Sequence, residues 1–156
     1  MASEKQYLFF KSLYDEENER TKLLGEHAKN NLGLVTVYSA FIIFVMDKQV
    51  VSMTTIGKWL FIGAILLMLA SILLSLLATQ VAEFEVSTLP SKIFENFGDS
   101  APTDEDFFDD RIADYSVACE NNSVVNDRKA KTLTVARYLL LAGVAAHAAY
   151  FIERLR

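Results

Sequence analysis

Cysteine is almost absent from this chain, and the single Cys119 excludes an intrachain disulfide as well as any paired-cysteine metal site. A lone thiol also fits a reducing compartment. Proline occurs twice, at Pro90 and Pro102, so long stretches on either side carry nothing that would break a helix. Net positive charge is missing too. At −5, with a pI near 5.0, the chain offers no general nucleic-acid-binding surface. The first twenty residues, MASEKQYLFFKSLYDEENER, lack the basic start, apolar run and small-residue cleavage site of a signal peptide, and read as cytoplasmic. The nucleophile, zinc and phosphate-loop motifs HExxH, GxSxG and GxxxxGK[ST] do not occur. No Ser, Cys or carboxylate stands near His27 or His147 at a helical spacing, so no catalytic residue, cofactor or metal is expected.

What is present is hydrophobic length. Trp59 to Ala82 runs without a charged side chain, and a bilayer core needs about 20 apolar residues at about 1.5 Å each. This stretch reads as a transmembrane helix. Leu32–Met46 is shorter. Extended by Asn30, Asn31, Val50 and Val51, it reads as the first arm of a hairpin, joined through a loop over Asp47–Lys58. Thr132–Ile152 contains one Arg and one His and reads as a third span, with Arg137 reaching to the interface. The expected organisation is a cytoplasmic amphipathic helix over 1–29, a first span over 30–52, a short outer loop and second span over 53–82, an acidic cytoplasmic helical region over 83–131, and a third span with a short tail over 132–156.

The polar parts are patterned as helices. Tyr7, Phe10, Leu13, Tyr14, Thr21, Leu24 and Ala28 recur at spacings of 3 and 4 with charges between them. Residues 83–131 hold 12 of the 20 acidic residues against five Lys and Arg. Within them Leu89-Pro90 through Phe97-Gly98 reads as a short amphipathic helix with Pro at its start and Gly just past its end. Thr103 and Asp106 read as a variant capping box, from which a helix runs through Ile112, Tyr115, Cys119, Asn122 and Asn126. The fold class expected is therefore an all-α membrane protein with three transmembrane helices, two of them continuous with long cytoplasmic helices. One copy could hardly cover the apolar stripes of such helices, so a homo-oligomeric bundle is expected, a tetramer being one such assembly. Lys and Arg before the first and third spans place the N-terminus and the acidic region inside and the C-terminus outside.

Four clusters are candidate sites, each with two readings. Ser71, Ser75 and Thr79 lie at i, i+4 and i+8 and either bond between helices or line a pore; His147 is either a neutral, hydrogen-bonded residue of the bundle or a relay or gate. Asn122, Asn126, Arg128, Lys129 and Lys131, with Asn121 beside them, either anchor the third span or bind phosphates. Asp104, Glu105, Asp106, Asp109 and Asp110 are either a solvated face or a cation-concentrating vestibule.

The segment ENERTKLLGEHAKNNLGLVTVYSAFI entering the first span, and NNSVVNDRKAKTLTVARYLLLAG leading into the last, resemble small membrane effectors of bacterial anti-phage defence, of the Pycsar, CBASS, SLATT and Hailong kinds. The resemblance rests on helix order and patch placement over most of the chain. It implies a non-enzymatic inner-membrane effector that oligomerises and forms a gated ion-conducting pore, depolarising or permeabilising the bilayer of an infected cell. It further implies control by a nucleotide or oligonucleotide made by a cognate nucleotidyltransferase and bound on the cytoplasmic helices. The residues to which the ligand role transfers are the Asn126–Lys131 patch and the Asn30–Asn31 entry. The alternative is a non-conducting membrane scaffold whose cytoplasmic helices recruit a soluble partner.

Overall fold

In the computed structural model, residues 3–47, 54–80 and 103–155 are described, and among them the chain is three helices with no strand. They are α1 (Glu4–Asp47), α2 (Thr55–Thr79) and α3 (Asp104–Arg154). The expected short helix at Leu89–Gly98 lies outside the described residues.

Each helix starts on a side chain that satisfies the otherwise orphaned first-turn N–H groups. At α1, Ser3 Oγ accepts from the Gln6 N–H while Gln6 Oε1 accepts from the Ser3 N–H, a reciprocal box. At α3, the Asp106 N–H donates to Thr103 Oγ1, whose hydroxyl donates to the Asp106 carboxylate at 2.6 Å, as the spacing predicts. At α2, Thr54 Oγ1 accepts from the Gly57 N–H at 3.0 Å. That cap starts the helix at Thr55, so Thr55–Lys58 are helical where the sequence suggests a loop. With no proline inside them, α1 and α3 each continue unbroken from charged sequence into apolar sequence.

The helices contribute to two compact units, residues 1–23 with 81–128 and residues 24–80 with 129–156. In the first, Tyr7 meets Phe108 with ring centroids 5.4 Å apart, and Tyr14 meets Tyr115 at 5.3 Å. Such pairs contribute about 0.5–1.5 kcal/mol each beyond their buried area. Ala118, Arg111, Asn122 and Asn126 fill the rest of the described interior.

In the second unit three helices share one core. Ala28, Ala78 and Leu133 form one layer and Val35, Met68 and Leu140 another. Beyond these, the rings of Tyr38 and Phe61 flank His147. These contacts make α1 and α3 parallel here, with α2 antiparallel between them. The inward positions of α2 are Gly57, Phe61, Ala64, Met68, Ser71, Ser75 and Ala78, alternating by 4 and 3. Those of α1 are Ala28, Asn31, Val35, Tyr38 and Ile42; those of α3 are Leu133, Ala136, Leu140, Gly143, His147 and Tyr150. This is the seam spacing of helices packed knobs-into-holes. The close approach of α2 and α3 depends on Gly143. A Cβ there would stand 3.0 Å from Met68 Cγ and 3.3 Å from the Ala64 carbonyl oxygen.

All three helices of the second unit carry large apolar side chains on the outside. Val37 and Trp59 are each 71% exposed and Tyr138 is 68% exposed, with Phe41, Leu66, Leu73 and Leu141 alongside. Among the described residues two helices are long and apolar enough to cross a membrane, α2 and α3, and only 22% of the most apolar part of each is buried.

Candidate functional site

Each unit carries its own polar interior, built on the inward positions of the helices. In the second unit the polar layer is centred on Asn31. Its amide donates to Ser75 Oγ at 2.7 Å and to Ser71 Oγ at 3.2 Å. Ser71 Oγ donates onward to the Ala136 carbonyl at 2.7 Å, and Ser75 Oγ donates back to the Ser71 carbonyl. One Asn and one Ser thus tie α1 to α2 and α2 to α3. All three side chains are buried. Thr79, the third member of the expected stripe, is outside this layer: it is half-buried and donates to the Leu76 carbonyl. The three hydroxyls therefore do not present one continuous face. Packing consumes the first two: Ser71 donates to α3 and Ser75 to its own helix, and both accept from Asn31 of α1.

His147 is different. Only 1% of it is exposed, with Tyr38 and Phe61 ring centroids 5.8 and 5.4 Å away. Neither Nδ1 nor Nε2 has a hydrogen-bond partner among the described residues. A buried polar atom left without one costs about 1–3 kcal/mol, so such a group calls for an explanation. The imidazole lines a cavity of about 510 Å³ together with Ser39, Ile42, Phe61, Ile65 and Met68, within the size range of small-molecule sites. At the far end of the same unit, Thr54 Oγ1 donates to Glu153 at 2.6 Å, and Arg154 donates to the buried Tyr150 hydroxyl at 3.3 Å.

In the first unit, Glu17 and Asn126 form the hub. Asn126 Nδ2 donates to the Glu17 carboxylate at 2.7 Å and to its carbonyl at 3.0 Å, while Thr21 Oγ1 donates to Asn126 Oδ1 at 2.9 Å. Arg20 bridges outward, with Nη1 on Glu17 and Nη2 on Asp127. The hydrogen bond to Asp127 is the main reason its guanidinium is held even more firmly protonated than usual. Arg111, 3% exposed, donates to Asp110 at 2.7 Å and to Asp114 at 2.8 Å, and its Nε has no partner among the described residues. Cys119 is half-buried, and burial raises its thiol pKa, with the charges of Glu17 and Glu16 adding to the effect.

The residues expected to bind phosphate are therefore dispersed in role. Asn122 and Asn126 are fully buried, with the Asn126 amide engaged by Glu17 and Thr21. Arg128 and Lys131 are exposed and Lys129 is half-buried. In the acidic run, Asp104, Asp106 and Asp109 are exposed, whereas Glu105 and Asp110 are half-buried. Asp106 serves the cap and Asp110 serves Arg111. Among the described residues no His, Cys, Asp and Glu cluster could hold a metal ion.

Glu17, Asn31 and Arg111 are structural residues that hydropathy alone overlooks. The signal was present: Tyr7, Phe10, Tyr14, Glu17, Thr21, Leu24, Ala28, Asn31 and Val35 keep the 3–4 alternation unbroken, with polar residues on inward positions. Comparison with protein-family models, curated proteins and solved structures finds no match for this chain.

Proposed function

We propose that this chain is an integral membrane effector whose second unit lies in the bilayer as a bundle of three spans and whose first unit faces the cytoplasm. The observation that carries the reading is the surface of the second unit. Leu34, Val37, Phe41, Phe44, Trp59 and Leu66 are exposed on it, whereas Asn31, Ser71, Ser75 and His147 are buried inside. A water-soluble bundle has the opposite arrangement. In a bilayer, lipid tails cover such a belt without cost, and each inward polar group must find an internal partner. In this reading copies of the chain assemble in a bacterial inner membrane and together conduct ions, under the control of a nucleotide or oligonucleotide signal received by the first unit.

The hydroxyls of Ser71 and Ser75 are sealed within one copy, so a conducting path would run between copies. The exposed small face of α3, at Ala142, Ala145 and Ala149, is where copies could approach closely. The same sealing favours a second reading, a membrane scaffold that conducts nothing and recruits a soluble partner. Purified protein reconstituted into planar bilayers separates them. The conducting reading expects discrete current steps that an Ala145→Trp substitution abolishes without loss of membrane insertion. Electrically silent bilayers in the presence of inserted protein, with and without nucleotide or oligonucleotide, would leave the scaffold.

A further inference from the structure

The cavity beside His147 is used by neither reading. Its walls come from α1 and α2, with Ile42, Ile65, Met68 and Phe61 among them, and α3 contributes the imidazole. Two further lining residues, Ile43 and Leu69, are 69% and 50% exposed, so the cavity opens onto the apolar outside of the unit. Two polar side chains line it, His147 and Ser39. The imidazole is buried with both ring nitrogens unpartnered. A neutral imidazole holds one N–H donor and one bare acceptor, and Ser39 adds a hydroxyl to the lining. Among the described residues no lysine or arginine lines the cavity, which leaves a carboxylate or phosphate head without a counter-charge there. The aromatic face of Phe61 provides a flat apolar surface beside the imidazole.

We propose that this cavity binds a neutral membrane-soluble molecule with a carbonyl-bearing ring head and an apolar tail, the quinone class. The head carbonyl accepts a hydrogen bond from the His147 ring N–H, and the tail leaves between Ile43 and Leu69 toward the lipid. Entry is sideways, from the bilayer, past the exposed side chains of Ile43 and Leu69. The proposal rests on the second unit lying in the bilayer. It is independent of whether the assembly conducts.

The chain has two histidines, so histidine-selective nitrogen-15 labelling gives two sets of ring signals, and His27→Gln assigns them. The full chain in lipid nanodiscs is titrated with decylubiquinone, and separately with decylbenzene, which keeps the tail and lacks the carbonyls. The expected result is a saturable displacement of the His147 nitrogen signals by decylubiquinone and none by decylbenzene. Co-sedimentation of decylubiquinone with proteoliposomes is expected to weaken at least tenfold in His147→Phe, which keeps a ring in place, and also in Leu69→Trp, which fills the mouth from an exposed position. Equal affinity for the two compounds, absence of a saturable shift, or binding indifferent to both substitutions overturns the proposal. The same proteoliposomes are washed at alkaline pH. Protein that stays with the bilayer yet does not bind overturns the cavity assignment alone, whereas protein that washes off overturns the bilayer reading and this proposal with it.

Discussion

The two units solve the same problem, burying polar groups between helices, with different kinds of side chain. In the first, Glu17, Asn126, Thr21 and Arg20 form a charged, partly exposed network, and Arg111 sits between Asp110 and Asp114. In the second, the buried polar side chains are Asn31, Ser71, Ser75 and His147, with no carboxylate or guanidinium among them, beneath exposed Leu, Ile, Phe and Trp. Water at the edge of the first unit screens its charges and lets ion pairs form at little net cost or gain. A neutral amide and two hydroxyls can be satisfied entirely from within, as an apolar exterior requires. On the proposed bilayer reading, what a helix seam carries is set by what surrounds the bundle. Both units use one rule of spacing.

Substitutions at matched positions break or sharpen this contrast. The largest effect is expected from placing a charge on the outside of the second unit. Leu66→Arg, near the middle of α2, should cost about 3 kcal/mol of insertion free energy, read as loss of protein from the membrane fraction. Val117→Arg, equally exposed in the first unit, should change stability by less than about 0.5 kcal/mol. Next is Gly143→Leu, whose side chain would collide with Met68 and the fixed Ala64 carbonyl. Overpacking of this kind costs about 1–3 kcal/mol, measurable by denaturant titration in mild detergent.

Paired deletions of the hub amides follow. Asn126→Leu leaves Oε2 of the half-buried Glu17 carboxylate without its amide donor while Arg20 stays on Oε1, and should cost about 2 kcal/mol, with Glu17→Gln in the same background recovering part of it. Asn31→Leu removes bonds to two hydroxyls that retain backbone acceptors, and should cost only about 1 kcal/mol. A reversed ranking would show that the second unit depends on its polar layer more than the first does.

The smallest effect is chemical. The Cys119 thiol pKa is raised in the fold by burial and by Glu17 and Glu16. The unfolded chain therefore releases its thiol proton at lower pH than the folded one. Stability from this group is complete below the unfolded thiol pKa, about 8.5, and is lost as pH rises through the folded value. Maleimide labelling at pH 8 should accordingly be several-fold slower in the folded protein than in the denatured one, and Glu17→Gln should narrow that gap.

Much of the architecture is legible in the sequence. The uncharged run from Trp59, the Thr103–Asp106 cap and the absence of proline from the long helices lead to α2, to the start of α3 and to continuous helices. The roles of individual polar residues are less so. Asn31 stands where an apolar run begins and looks like a boundary residue, and Glu17 lies in a charged tract and looks solvated. Both occupy the inward seam, which only spacing counted through polar positions reveals. Ser71 and Ser75 show the limit of a one-helix view, because a hydroxyl stripe on one helix is silent about which neighbour supplies the acceptors. The Ala136 carbonyl, on another helix far along the chain, answers that for Ser71. The emptiness of hydrogen bonding around His147 is likewise a property of three helices together.

The central claim is that the second unit is apolar outside because lipid surrounds it. Spin labels attached in a Cys119→Ser background at Leu66→Cys, Leu73→Cys and Leu141→Cys, in reconstituted bilayers, test it most directly. The account predicts that all three collide readily with oxygen, which concentrates in lipid, and rarely with the water-soluble nickel chelate NiEDDA. Frequent collisions with the nickel chelate, matching those of a label at Glu16→Cys in the first unit, would contradict it.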